Sequence, residues 1–251
     1  MPPEDRGSGK SGHLVRARLS TRGYELGPRQ VLPPSAYLRY LEHMRWTSRT
    51  RPTSRRVGQG VVRALSIELF QEVGAHVELD LTLWISRVGR TSLDMSHEIL
   101  LADDGSTVAR SRATLVSLDE RRRPTPFHDS VRELILDRGA IDIPPPEGSV
   151  PEGAYGRDLS VRPSDHDNQD HVNQARYADF VEDVRQICSR ERGYGDGTWD
   201  APLRRLSIAF ENECRAGDPL VARTWKSSGA SLEFQLDRGP DDIVARARVE
   251  I

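Results

Sequence analysis

The chain has 251 residues, of which 36% are hydrophobic and 29% charged, with a formal net charge of −2. That length suits one large domain or two small ones, and the near-neutral balance offers no electrostatic case for nucleic acid or an anionic membrane. No apolar run approaches the ~20 residues of a membrane span.

The first twelve residues, MPPEDRGSGKSG, carry no apolar signal core and are expected to be a disordered start. A short strand is expected at HLVRARLS (His13 to Ser20). A helix follows, in which Tyr37, Tyr40, Leu41 and Met44 recur at helical spacing. HVELDLTLWISRV (His76 to Val88) alternates with period two, as a half-buried strand does. TSLDMSHEILLAD and STVARSRATLVSLD continue that pattern across ADDGS, a loop short enough for an antiparallel hairpin. Between Arg121 and Pro151 the segments RRRPTP and IPPPEGSVPEG hold too much proline for a helix interior or a central strand. A linker over 126–152 is therefore expected to separate a unit at 13–125 from one at 153–251.

The second unit echoes the first. YLRYLEHMR (Tyr37 to Arg45) and YADFVEDVR (Tyr177 to Arg185) both read Tyr-x-x-aromatic-aliphatic-Glu-x-x-Arg. LSIELFQEVGAHVELDLTLW (Leu65 to Trp84) lies against LSIAFENECRAGDPLVARTW (Leu206 to Trp225), and VARSRA (Val108 to Ala113) against VARARV (Val244 to Val249). Three matches in one order at a nearly constant offset describe an internal duplication. The second unit again predicts a strand at RDLSVRP. A helix follows with Tyr177, Phe180, Val181, Val184, Ile187 and Cys188 on one face, then strands that include SLEFQLD and DIVARARVEI. The expected fold class is α+β, a helix laid in the curl of an antiparallel sheet, twice over.

Directly ahead of the second helix stands Arg162, then Asp165-x-Asp167-x-x-x-His171-Val172-Asn173-x-x-x-Tyr177, with Glu182 and Arg185 beyond. This pattern resembles that of the hotdog-fold thioesterases, doubled in one chain as in the acyl-ACP thioesterases and related acyl-CoA thioesterases. VGRTS (Val88 to Ser92) and ENECRAGDPL (Glu211 to Leu220) add to the resemblance, which covers residues 13 to 251. It implies a tandem hotdog and a substrate carried as an acyl thioester on CoA or on a carrier protein. It implies no cofactor, metal, nucleic acid or membrane, and leaves open whether two chains pair. One departure stands out: the glycine usual before the histidine is Asp170. In the first unit, GPRQVLPPSAY sets Gly27 at the place of Asp167 and Val31 at that of His171, so that unit reads as a structural partner.

Thioester hydrolysis needs a group to orient or deprotonate water and donors for the developing oxyanion. A helix N-terminus supplies such donors, because its first N–H groups have no partner inside the helix. Asp167 is assigned as general base, nucleophile or water-orienting carboxylate. His171 is its acid–base or hydrogen-bonding partner, and Asn173, expected in the first helical turn, orients water or carbonyl. Gln169, Asp170 and Tyr177 are the candidates for substrate contact, although Asp170 also reads as a helix N-cap and Tyr177 as a packing residue. Asp165 reads as a loop or cap residue, Glu182 and Arg185 as an i,i+3 ion pair, and Glu72 and Glu213 as structural. His43, His76, His97 and His128 have no motif around them. Cys188 falls on the apolar helix face; with Cys214 it makes neither a metal spacing nor a disulfide framework, which predicts reduced thiols in a cytoplasmic protein. Two other readings stay open: a hotdog hydratase or dehydratase, and a non-enzymatic acyl-binding module.

Overall fold

A computed structural model describes residues 12–49, 60–192, 199, 201–227 and 229–251. The expectation of a disordered start at 1–12 falls, but for Gly12, outside them. In the N-terminal half, β1 (Leu14–Ser20) leads through a 3-10 turn (Gly23–Glu25) to α1 (Pro34–Arg49), followed by β2 (Gly60–Leu69), β3 (Glu78–Val88), β4 (Ser92–Leu101) and β5 (Thr107–Ser117). The C-terminal half runs β6 (Tyr155–Ser160), a 3-10 turn (Pro163–Asp165), α2 (Arg176–Arg192), β7 (Arg205–Phe210), β8 (Pro219–Lys226), β9 (Ser231–Gly239) and β10 (Asp242–Glu250).

The strands form one ten-stranded sheet in the order β1-β3-β4-β5-β2-β7-β10-β9-β8-β6. Every named strand pairing is antiparallel. The order reads alike from both ends, and the halves meet at a β2–β7 seam where Ala64 faces Ala209 and Ile67 faces Leu206. Ion pairs tie the seam at its rims: Arg205 reaches Glu68 at 2.7 Å and Arg63 reaches Glu211 at 3.1 Å.

The local reasons are ordinary ones. Proline at the first position of α1 has no N–H to leave unpaired there and a φ already set for helix. Arg190 and Arg192 close α2, where the negative end of the helix dipole favours cations. Tyr177, Phe180, Val181, Val184 and Cys188 are buried, and Ile187 packs partly buried against the same core. One apolar cluster draws on both helices and both halves of the sheet, so burying either helix face stabilises both halves together. The proline-rich stretch is anchored rather than loose. It forms a 3-10 segment (Asp129–Leu134) that buries Val131 and Leu134, then lays Ile143 down as a buried residue, with Ser207 Oγ donating to the Pro144 carbonyl at 2.9 Å.

Candidate functional site

The two segments ahead of the helices share a backbone. Asp167 N–H donates to the His171 carbonyl at 2.9 Å, and Gly27 N–H to that of Val31 at 2.9 Å. Asp170 N–H donates back to Asp167, as Gln30 does to Gly27. Val172 N–H reaches the Cys214 carbonyl at 3.0 Å, as Leu32 reaches that of Val73 at 2.9 Å. Asp170 takes φ +62° and Gln30 φ +61°, the left-handed region that favours glycine. Asp170 thus holds, without being glycine, a backbone conformation that glycine adopts most readily. It does not cap α2, which begins six residues on.

The side chains differ where the backbones agree. Asp165 is 3% exposed and fully engaged: it accepts from Arg162 N–H at 2.9 Å and from the Arg176 guanidinium at 2.8 and 2.9 Å. It is a structural anchor of the loop. Asp167 turns one carboxylate oxygen onto the Gln169 N–H at 2.8 Å, which holds the turn, and Gln169 and Asp170 are exposed. His171 Nε2 stands 3.0 Å from a Glu213 carboxylate oxygen, with the ring 21% and the glutamate 41% exposed. A carboxylate there favours the tautomer protonated on Nε2 and leaves Nδ1 as an acceptor. Arg122, from the Asp119–Arg123 turn, pairs with the same glutamate. Glu213 is thus more than the structural residue its recurrence suggests. Its counterpart Glu72 pairs with Arg29 at the surface and has only Val31 where His171 would be.

Asn173 lies three residues before α2, not in its first turn. Its Oδ1 accepts from Ala175 N–H at 2.9 Å, a cap-like bond to the turn that leads into the helix, and its Nδ2 donates to Glu42 of α1 at 2.9 Å. Glu42 belongs to the repeated Tyr-x-x-aromatic-aliphatic-Glu-x-x-Arg pattern, yet its twin Glu182 does something else: it grips Arg185 at 2.8 and 3.0 Å. Arg39, Glu42, Arg162, His166, Asn173 and Arg176 line an open cleft of about 520 Å³. His166 accepts from Ala216 N–H through Nε2 at 2.6 Å, which leaves Nδ1–H facing Asp170 at 3.2 Å.

The loop therefore divides the expected residues. Asn173 faces the cleft, His171 reaches Glu213, and Tyr177 is 4% exposed in the core, its hydroxyl 3.4 Å from Cys214 Sγ. Tyr177 stacks edge-on with Phe180 and Phe210. Burial pushes the Cys214 and Cys188 thiols up, Cys188 to about 11, so both stay protonated near neutrality. Among the described residues no group of three or more His, Cys, Asp or Glu could hold a metal ion. The partners the sequence did not reveal, Glu42 and Glu213, come from far along the chain. The Glu-x-x-x-Gly-Asp-x-Leu turn held the only hint of the second.

An α+β fold with this sheet order and a polar loop before a buried helix is a hotdog fold. Residues 150–250 match the model of the acyl-ACP thioesterase C-terminal domain. An acyl-ACP thioesterase from Bacteroides thetaiotaomicron is 18% identical over 95% of this chain and 97% of its own, with a TM-score of 0.80. The 12:0-ACP thioesterase from Umbellularia californica is 21% identical over 97% of this chain and 98% of its own, with a TM-score of 0.78. No curated protein matches the chain by sequence. The likeness to the solved structures establishes a shared fold, and the matched domain supports a thioester hydrolase.

Proposed function

We propose that the chain is a tandem hotdog thioesterase that hydrolyses an acyl thioester, carried by acyl carrier protein or CoA, to the free acid and thiol. The observation that carries this reading is the His171–Glu213 pair beside Asp167, inside the segment that matches the acyl-ACP thioesterase domain. Asp167 orients or deprotonates the water that attacks the carbonyl. His171, its Nε2 proton held toward Glu213, offers Nδ1 to accept a proton and passes it on to the leaving thiolate. The start of α2 faces the developing oxyanion with its dipole. Asn173 works from the cleft, positioned by Glu42, so the N-terminal half contributes to a site whose acid–base groups lie in the C-terminal half.

Thiol release from a panel of acyl-ACPs and acyl-CoAs tests this. Asp167→Ala is expected to lower the rate on the order of a hundredfold or more with the fold intact. An Asp167→Ala protein as active as wild type on its best substrate would place the chemistry elsewhere.

A further inference from the structure

One row of side chains crosses five strands of the N-terminal half in register: Val15, Leu83, His97, Ser111 and Ile67. All five are 2% exposed or less. Three are aliphatic, as a core row demands, and the two in the middle are polar. The Ser111 hydroxyl has no hydrogen-bond partner among the described residues, and the His97 ring makes none of good geometry, with only the Ser111 backbone close to it. Arg45 of α1, close enough for its charge to act on His97, is 7% exposed, with both terminal guanidinium nitrogens also unpartnered. Burial first, and then the Arg45 charge, hold His97 well below the ordinary histidine range, which keeps the ring neutral. Buried polar groups are nearly always paired, and an unpaired buried cation is among the costliest of exceptions.

The C-terminal half shows that the architecture does not require these groups. Its equivalent row is Tyr155, Thr224, Phe234, Ala247 and Ile208. Phenylalanine and alanine stand where the N-terminal half has His97 and Ser111. Arg185, the twin of Arg45, is just as buried but satisfied, by Glu182 and by the Trp199 and Ala201 carbonyls at 2.7 and 2.9 Å. Glu42, which should serve Arg45 in the same way, is held instead by Asn173 and Trp46.

The unpartnered set is rich in donors: a guanidinium fork, a hydroxyl and one imidazole N–H. That set fits a planar anion with two acceptor oxygens, a carboxylate. Glu42, which lines the cleft, stands three residues before Arg45 on the same helix, so the two side chains lie on neighbouring positions of one helix face. We propose that Arg45, His97 and Ser111 receive a carboxylate at the far end of an acyl chain, making the protein selective for acyl groups that end in a second carboxyl. The thioester end of this idea rests on the proposed hydrolysis; the carboxylate receptor does not.

The test is calorimetric titration with a series of straight-chain α,ω-dicarboxylates and their monomethyl esters, alongside thiol release from the matching ω-carboxyacyl-CoAs and plain acyl-CoAs. In the wild type, one dicarboxylate length is expected to bind roughly tenfold or more tighter than its monoester, as bonds to a charged partner allow. Arg45→Met should abolish that difference. The double variant His97→Phe with Ser111→Ala, which copies the C-terminal row, should weaken it with no loss of thermal stability. Equal binding of diacid and monoester, or a preference that survives Arg45→Met, overturns the proposal. Arg45-dependent diacid binding without hydrolysis of any thioester would sink the reaction and leave the receptor standing. Hydrolysis of plain and carboxylated chains at equal rates would do the reverse.

Discussion

At the scale of single residues, the loop before α2 trades conformational ease for side chains. Asp170 and Gln30 hold left-handed backbone that costs an ordinary residue about 1–2 kcal/mol, less for aspartate, whose short polar side chain tolerates it. Glycine removes that strain but adds freedom to the unfolded chain. Gln30→Gly should therefore raise stability by up to about 1 kcal/mol and Asp170→Gly by less, since it also gives up the contact with His166. Urea titration reads both; a loss at Gln30 would mean that its conformation carries no strain. Glu42 makes a second case. Glu42→Ala removes the acceptor that fixes the Asn173 amide, at about 1 kcal/mol of stability. Thiol release should fall well beyond what that small loss explains, whereas Glu42→Gln, which keeps an oxygen for Asn173, should recover most of it. Equal activity in the two variants would count against a positioning role.

At the scale of elements, what could be read from the chain was what repeats or alternates. The period-two strands, the helical stripe from Tyr177 to Cys188 and the duplicated segments are local patterns; β1, β3, β4, β5, β6, β9, β10 and both helices follow them, while β2, β7 and β8 carried no strand expectation of their own. The start of α2 did not follow. The Arg176 N–H donates to the Asn173 carbonyl and the Ala178 N–H to that of Ala175, tight i+3 turns that precede the regular helix at Arg176 and that no spacing in the sequence marks. The partners of the candidate site were hidden for a similar reason. Asn173 meets Glu42 and His171 meets Glu213 only because the sheet brings distant segments together, and no spacing records that. Arg185 shows how much one such tie is worth. It anchors α2 to the Trp199 and Ala201 carbonyls while paired with Glu182. Arg185→Met should strand that glutamate and two carbonyls and cost on the order of 3 kcal/mol. Arg45→Met, at the matching position in α1, strands nothing and should leave the melting temperature level or higher. Similar losses at the two sites would refute the contrast drawn between them.

At the scale of the molecule, the halves are chemically unequal and mechanically joined. The C-terminal half holds Asp167, His171 and Glu213, while the N-terminal half lends Glu42 and Arg122. Because β2 and β7 are neighbours inside one sheet and the apolar cluster runs through both halves, neither half can lose its packing without exposing an edge of the other. Unfolding should therefore be a single transition, with calorimetric and van't Hoff enthalpies in agreement. Ile67 and Ile208 occupy matching core positions, at 0% and 1% exposure, on the two sides of the seam. Replacing either by alanine should cost about 2–5 kcal/mol. If the halves are coupled, both variants shift that same transition and both lower the activity at elevated temperature in proportion. Two resolved transitions, with Ile67→Ala moving one and Ile208→Ala the other, would show that the seam does not couple the halves, and Glu42 could then move away from Asn173 without the C-terminal half unfolding.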